Sequence, residues 1–529
     1  MTSRRNLLTI GVVLALVTLL RLWIIISGGI SFDSDEAIVT LMARHIAHGK
    51  PIPTFFYGQA YMGSLSAILA AGGFSLFGES VETARIVQSA EFLLTLLSGY
   101  ALARAVTGSA RVAAIALLIM AFPSSNATLF TVIPVGGWHE AMLCGNLVLL
   151  VGWQVSVGRK NDLWRWTVLG LAAGIGWWSM GSIITAIAVA GLFILRHFSL
   201  RHWRGYALAV AGFLLGSLPW WLYNFQHEWE ALRFLFTGYG TPGGATFSVV
   251  DRALGLLGLG LPTLYGLREP AAQGFPLTVE NLLILPLLLI LLIDFLLTLP
   301  KRLRQRPTVR LRAEGWVWLS FGVFLVIFLL SSFFDTTGRY LLPLWAPASI
   351  GLALSIDRLR RFGPAISAGA LALLLAFQVG TVVRLTQSER GLQFQLVERL
   401  QIPTRYDAPL IDFLTENGYT RGYASYWTAY RIAFRSHERI ILDSILPYMD
   451  EVVGVDTNRY PPYVEAVAAA DRVVWITQNY PALDRAIEAA LAEAGVRYRV
   501  RDFGPYRVYY DLSRRISPRD VTLTLSDEE

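Results

Sequence analysis

Cysteine and charge are both scarce in this chain. A single cysteine, Cys144, occurs in 529 residues, so no intrachain disulfide can form and any exported portion must rely on packing. Charged residues make up only 16% of the sequence, well below the quarter usual in soluble domains. No P-loop, no G-x-G-x-x-G opening a helix after a strand, no H-E-x-x-H and no cysteine-based metal set occurs, which leaves an ATP-driven pump unsupported. Repeats and low-complexity tracts are lacking as well.

What is abundant is apolar sequence. Hydrophobic residues reach 54%, mean hydropathy is +0.49, and runs of roughly 18 or more apolar residues recur, each long enough to cross a bilayer core. This composition predicts a polytopic α-helical membrane protein. The first run, from about 7 to 26, follows Arg4 and Arg5. It is too long for a signal-peptide core and lacks a small-residue cleavage site, so it reads as a retained helix.

About eleven spans are predicted, near 7–28, 83–105, 110–130, 139–157, 165–180, 182–196, 205–224, 281–300, 315–333, 341–356 and 362–384. The net charge of +7 suggests nucleic acid only until the cations are located. They lie in short loops: Arg4 and Arg5, Arg104 with Arg111, 158–165, 196–204, 301–312 and 357–361. All fall on one side. The 301–312 loop holds six basic residues and no acid, which marks that face as cytoplasmic. The apolar stretch 62–77 would reverse this parity if it crossed, so it is expected to be a shallow interfacial helix. Near 385 the pattern changes to alternating apolar and polar residues. Strands are expected within 422–434, 438–445 and 472–478, helices at 407–417, 462–470 and 482–494, and a hairpin over 496–512 turning at Gly504 and Pro505. The expected organisation is a membrane domain over 1–384, with an exterior loop at about 29–82, and an exterior α/β domain over 385–529.

The polar residues gather on the exterior side. "ISFDSDEAIVTLMARHIAHG" (30–49) carries Asp33, Asp35 and Glu36 just beyond the first span. Such acids suit a helix start, with Ser31, Asp33 or Ser34 as cap; they equally suit a catalytic carboxylate at the membrane surface. His45 and His48 are three apart and, if they shared a helix face, would make a metal pair, although ordinary surface histidines are the commoner case. "GGWHEAML" (136–143) sets Glu140 at an exterior boundary, and "DTTGRYLLPLWAP" (335–347) sets Arg339 and Tyr340 at another. Arg21, inside the first span, is expected to snorkel. Aromatics of the C-terminal domain, including Tyr423, Tyr426, Trp427 and Tyr430, fit half-buried sheet packing or sugar stacking. Carboxylates and arginines facing one surface fit a reaction in which a carboxylate takes a hydroxyl proton and arginines hold a lipid phosphate.

The stretch 31–65 followed by "LFGESVETARIV" (76–87) resembles the first exterior loop of the GT-C superfamily. It is most similar to the branch of protein O-mannosyltransferases, lipid A aminoarabinose transferases and Rgt-type glycosyltransferases. Asp35 and Glu36 match the family's opening acid pair, Gly58, Gln59 and Tyr61 its Gly-Gln-x-Tyr stretch, and Phe77, Gly78 and Arg85 its approach to the second span. Arg339, Tyr340 and Pro343 resemble its late Arg-Tyr-x-x-Pro motif. The resemblance implies transfer of a sugar from a polyprenyl-phosphate donor to an exterior protein, lipid or glycan acceptor, usually with inversion. It implies Asp35 as general base, with Glu36 positioning acceptor or donor. Asp33, Gln59, Tyr61 and Glu140 would help in that positioning, while Arg339, Arg85 and Tyr340 would meet the lipid phosphate. It carries no required cofactor, although Asp33-Ser34-Asp35 has a spacing that could hold a divalent cation. The Trp-Trp-Asp signature of the oligosaccharyltransferase branch does not occur, which disfavours glycan transfer to asparagine. A transporter or flippase of lipid-linked glycans would need polar residues inside several spans, and the runs here are mostly clean. A non-catalytic membrane scaffold is the third alternative.

Overall fold

The computed structural model describes residues 4–157, 162–237, 247–270, 272, 278–297, 309–331, 337–449 and 457–525. Seven helices open the chain: α1 Arg4–Ile26, α2 Ser34–Ala47, α3 Leu65–Phe77, α4 Val81–Thr107, α5 Ala110–Ala121, α6 Ser125–Val132 and α7 Trp138–Ser156. Helix α1 shows how the bundle meets lipid. Val13, Val17, Ile24 and Ile25 face inward, while Leu8, Leu16, Leu19 and Ile26 stay exposed. Apolar residues on the outer side of a helix whose backbone bonds are internally satisfied suit a bilayer rather than water.

Among the described residues, six helices are long and apolar enough to cross a membrane: Asn6–Ile26, Val81–Thr107, Val279–Leu296, Ala313–Leu330, Arg339–Phe362 and Pro364–Thr386. Two further pairs do so only if each bent pair is one span, α5 with α6 (74°) and Leu200–Gly216 with Leu218–Gln226 (60°). The first bend lies at Pro123, which cannot donate to the preceding turn, and Ser124 restarts the helix by accepting from Ala127 N. The expected spans at 139–157, 165–180 and 182–196 are all helical, as α7, Leu163–Ser179 and Ile184–Arg196. They are shorter or more polar than a simple crossing requires, α7 because it carries His139, Glu140 and Asn146. Most of the 301–312 loop and part of 333–340 lie outside the described residues.

Loop ends expected on one side do meet at one end of the bundle. Arg111 approaches Asp357 at 3.8 Å, Arg361 approaches Asp294 at 3.9 Å, and Arg358 pairs with both Asp294 (2.5 Å) and Glu314. At the opposite end lie α2, α3 and the C-terminal domain. Helix α3 has 13 residues, a length of about 20 Å, too short for a core of about 30 Å; it packs along α2. This agrees with the shallow helix expected at 62–77.

The C-terminal domain holds a five-stranded sheet in the order β2-β1-β3-β5-β4. Its strands are β1 Arg421–Ser425, β2 Ile441–Leu446, β3 Val474–Gln478, β4 Arg499–Phe503 and β5 Tyr506–Tyr510. β1 runs parallel to β2 and β3, and β5 is antiparallel to β3 and β4. The hairpin and the helices Asp407–Glu416, Pro461–Ala468 and Pro481–Glu493 match the sequence reading closely. One element differs. The strand expected within 422–434 stops at Ser425, and Tyr426–Arg435 is a helix. Its buried residues Tyr426, Ala429, Tyr430, Ala433 and Phe434 recur at helical spacing, a period that outweighs the high strand propensity of Tyr and Trp.

That helix also joins the two parts of the molecule. Tyr426, Tyr430, Ala433 and Phe434 belong to the same continuous apolar cluster as the bundle, and Phe434 packs on Phe32 (5.7 Å) and Phe74 (6.2 Å). The segment after the last bundle helix returns to the first loop as well: Leu392 N donates to Gly29 O (2.8 Å) and Ser31 N donates to Leu392 O (3.2 Å).

Candidate active site

The acid-rich stretch after α1 becomes the first turn of α2, and its three carboxylates take three different roles. Asp33 is the N-cap, in extended conformation, its Oδ1 accepting from Glu36 N at 3.0 Å. Burial, and then the neighbouring Asp35 charge, push the Asp33 carboxyl well above the ordinary aspartate range. Glu36 turns inward and is fully buried against Arg85 of α4. Arg85 Nε donates to Oε1 (2.8 Å) and Nη2 to Oε2 (2.7 Å). The remaining Arg85 donors reach Ile30 O (3.3 Å) and Ser31 O (3.4 Å). Burial raises the Glu36 carboxyl, while the Arg85 charge opposes that rise. This geometry alters the expected roles of both residues: they hold the loop against α4, and the guanidinium is directed at protein oxygens.

Asp35 is different. It is only half-buried, and its Oδ1 accepts a 2.5 Å hydrogen bond from the Tyr426 hydroxyl. Beside it, Ser34 Oγ donates to Tyr426 O at 2.6 Å. The Trp427 ring lies edge-on to Tyr426 at 4.9 Å, and the Arg459 guanidinium lies 5.6 Å from the Tyr426 ring centre. One carboxylate oxygen of Asp35 is thus pinned, and the other has no hydrogen-bond partner among the described residues.

The far end of α2 is anchored to the C-terminal domain. His45 is buried and shares a 2.8 Å hydrogen bond with Tyr57 and a 3.0 Å bond with Glu438, which also accepts from Tyr463 (2.9 Å). Burial works to raise the Glu438 carboxyl, but His45, Tyr463 and Arg44 together hold it down to about 2. His48 turns elsewhere, to Glu79 at 2.6 Å. The two histidines therefore do not converge, and no group of three or more metal-ligating side chains occurs among the described residues.

Other expected site residues lie around this centre. Gly58 has φ +65°, and a Cβ there would stand 2.8 Å from Arg459 Cα; only glycine fits both the left-handed backbone and the close approach. Arg459 Nη1 donates to Gly58 O at 3.2 Å. Gln59 follows in the same turn, its N–H donating to Phe56 O at 3.2 Å. Tyr61 stacks on Phe234 at 4.7 Å. Glu140 is buried in the first turn of α7 and accepts from Ser66 Oγ of α3 at 2.5 Å, so it joins the two helices. Arg339 and Tyr340 form a half-buried turn after Gly338, with Tyr340 edge-on to Trp138 at 5.5 Å. Arg21 does not snorkel. It is 3% exposed, donates to Thr131 O (2.6 Å) and Thr131 Oγ1 (2.5 Å), and covers the Phe92 ring at 3.7 Å. Inside a bundle, a partner on a neighbouring helix costs less than dragging the side chain to the interface.

No family model matches the chain. Among characterised proteins, it is 26% identical over 363 residues to an undecaprenyl phosphate-alpha-4-amino-4-deoxy-L-arabinose arabinosyl transferase of Edwardsiella ictaluri, covering 65% of this chain and 59% of that protein. The Pseudomonas aeruginosa protein of the same name is 32% identical over 182 residues, 32% of this chain and 31% of that one. The matches thus span about three fifths of the first relative and a third of the second. Among solved structures, ArnT from Cupriavidus metallidurans superposes with a TM-score of 0.61 in the apo state and 0.60 bound to undecaprenyl phosphate. Each alignment has 14% identity and covers 94% of this chain and 97% of that one. The mycobacterial arabinofuranosyltransferase AftD matches with a TM-score of 0.50 at 16% identity, over 96% of this chain and 42% of that one.

This chain has the GT-C fold. The acids of the first loop lie at a helix start, as the sequence suggested, with Asp33 as cap and Asp35 and Glu36 in the first turn of α2. Sequence reasoning named Tyr426 only as a sheet-packing or sugar-stacking aromatic and missed Arg459, Glu438 and Tyr463, all supplied by the C-terminal domain. The only local signal was the helical spacing of 426, 429, 430, 433 and 434, which would have turned Tyr426 from a strand residue into a helix-face residue without revealing its partner.

Proposed function

We propose that this chain is an integral membrane glycosyltransferase that moves a sugar from a polyprenyl-phosphate donor to a hydroxyl acceptor, with inversion. The observation that carries the proposal is Asp35: a carboxylate with one oxygen fixed at 2.5 Å by Tyr426 and the other without a hydrogen-bond partner among the described residues, at the junction of bundle and C-terminal domain. The relatives' names support the donor class, and the shared fold supports placing the reaction at the membrane surface.

In this scheme the acceptor hydroxyl gives its proton to Asp35 Oδ2 as its oxygen forms the bond to the anomeric carbon. The bond from that carbon to the phosphate oxygen breaks, and the lipid phosphate departs with the electron pair. Arg339, with Tyr340 beside it (5.4 Å from guanidinium to ring), is the group we assign to the charge developing on the phosphate. Arg85 and Glu36 shape the loop that presents Asp35, and Asp33 caps its helix. Gln59, Tyr61 and Glu140 position the loop and the helices around it. With Asp33 used as a cap and Glu36 paired to Arg85, the loop is left with one open carboxylate, so we assign no resident cation to it. The acceptor is an exterior protein, lipid or envelope glycan, and nucleic acid is not a partner. The basic loops support a cytoplasmic N-terminus and a C-terminal domain outside the plasma or inner membrane.

The test is sugar transfer from a panel of radiolabelled polyprenyl-phosphate sugars in nanodiscs, with wild type and Asp35→Asn. Transfer by wild type, unchanged by chelator and reduced about 100- to 10,000-fold in a variant that melts normally, is the expected result. Equal transfer by the two proteins would remove Asp35 as base, and a wild type inert toward every donor would overturn the reading.

A further inference from the structure

We infer that Tyr426, a residue of the C-terminal domain, is the positioning residue for the Asp35 carboxylate, so that the catalytic centre is completed by a domain outside the bundle. The inference rests on the glycosyltransferase reading above. It reaches further by assigning the C-terminal domain a part in the chemistry.

The argument begins with Asp35 itself. It stands in the first turn of α2, where the backbone is held by the Asp33 cap but an aspartate side chain keeps rotamer freedom. A general base gains most of its advantage when its accepting oxygen is already in place. Among the described residues, the group within hydrogen-bonding range that restricts the Asp35 carboxyl is the Tyr426 hydroxyl, at 2.5 Å on Oδ1. A phenol donating to a carboxylate is a charge-assisted bond, among the stronger kinds. It fixes the orientation of the carboxylate and leaves Oδ2 as the oxygen that can take a proton.

Tyr426 is in turn rigidly held. Its ring is 5% exposed and lies against Trp427 (4.9 Å) and Tyr430 (5.5 Å). Tyr426 O accepts from Ser34 Oγ at 2.6 Å, so the same residue grips α2 through backbone and side chain at adjacent positions. Tyr430, one turn on, is fixed by a 3.1 Å bond to Asn458 Oδ1 and accepts from Arg459 N at 2.5 Å. A donor whose own rotamer is locked by packing is what a preorganised base requires.

The test compares wild type, Tyr426→Phe, Ser34→Ala, Asp35→Glu and the Tyr426→Phe/Asp35→Glu double variant, in nanodiscs, by transfer kinetics and thermal melting. Tyr426→Phe removes one oxygen and keeps the ring. It is expected to lower kcat on the order of 10- to 100-fold with the donor KM unchanged. In the Asp35→Glu background the same change is expected to cost less than about threefold, because the carboxylate has already left the position the phenol addresses. Ser34→Ala cuts the adjacent interdomain bond without touching the carboxylate and is expected to stay within about threefold of wild type. Equal losses for Tyr426→Phe in both backgrounds, or a loss for Ser34→Ala as large as that for Tyr426→Phe, would reduce Tyr426 to a docking contact and overturn the inference. An active wild type with an equally active Tyr426→Phe would overturn it while leaving the glycosyltransferase reading intact. An inert wild type would instead bring down the glycosyltransferase reading, and this inference with it.

Discussion

Replacing Arg85 by Met isolates what the Glu36–Arg85 pair contributes. The substitution keeps much of the side-chain volume and removes two hydrogen bonds of 2.8 and 2.7 Å to a carboxylate whose side chain has 0% exposure. Breaking a buried pair from one side leaves the other charge without compensation, a cost of about 3–5 kcal/mol. For a chain of 529 residues that corresponds to a fall in melting temperature of about 3–5 °C. The loss should depend on pH. Burial already raises the Glu36 carboxyl and Arg85 opposes that, so the variant raises it further. An acid with a raised folded-state pKa binds more protons folded than unfolded. Its penalty is therefore absent below the ordinary glutamate range and grows as pH rises through it. Melting of Arg85→Met in nanodiscs should approach wild type near about pH 4 and fall behind it by about pH 7. The Glu36→Gln/Arg85→Met double variant should recover most of the difference and lose the pH dependence, because no charge remains to be buried. An Arg85→Met protein that melts like wild type at neutral pH, yet fails to transfer sugar, would refute this reasoning. It would return the guanidinium to the lipid phosphate.

The same logic with opposite sign applies at Glu438, which is held down to about 2. Its contribution is present above the ordinary glutamate value and is lost as pH falls toward about 2, amounting to about 1–2 kcal/mol after solvent screening. Acidification should loosen the C-terminal domain from α2, seen as faster protease release of that domain, and Glu438→Gln should show that looser state already at neutral pH. Gly58→Ala should cost about 1–3 kcal/mol, from a left-handed backbone and a Cβ 2.8 Å from Arg459 Cα. A melting curve unchanged from wild type would contradict the close approach.

Much of this molecule was legible before any fold was known. Low charge and long apolar runs dictate a helical membrane protein, since a bilayer accepts only backbones that satisfy their own hydrogen bonds. Basic loops sorted the helix ends, and the ion pairs of Arg111, Arg358 and Arg361 at one end of the bundle agree with that sorting. Alternation and the Gly504–Pro505 turn marked the hairpin, and the acids at 33–36 marked a capped helix start. These are local properties, carried by hydration, periodicity and turn chemistry. Which acid became cap, buried partner or open carboxylate was a matter for tertiary structure. Arg85 is 49 residues from Glu36, and Tyr426 is 391 residues from Asp35. Arg21 found Thr131 across 110 residues instead of reaching toward the surface. A sequence pattern reports which face of an element is apolar, but a hydrogen bond of under 3 Å depends on how two rigid bodies dock. Docking is set by packing summed over the whole interface, with no signature at the residues it brings together.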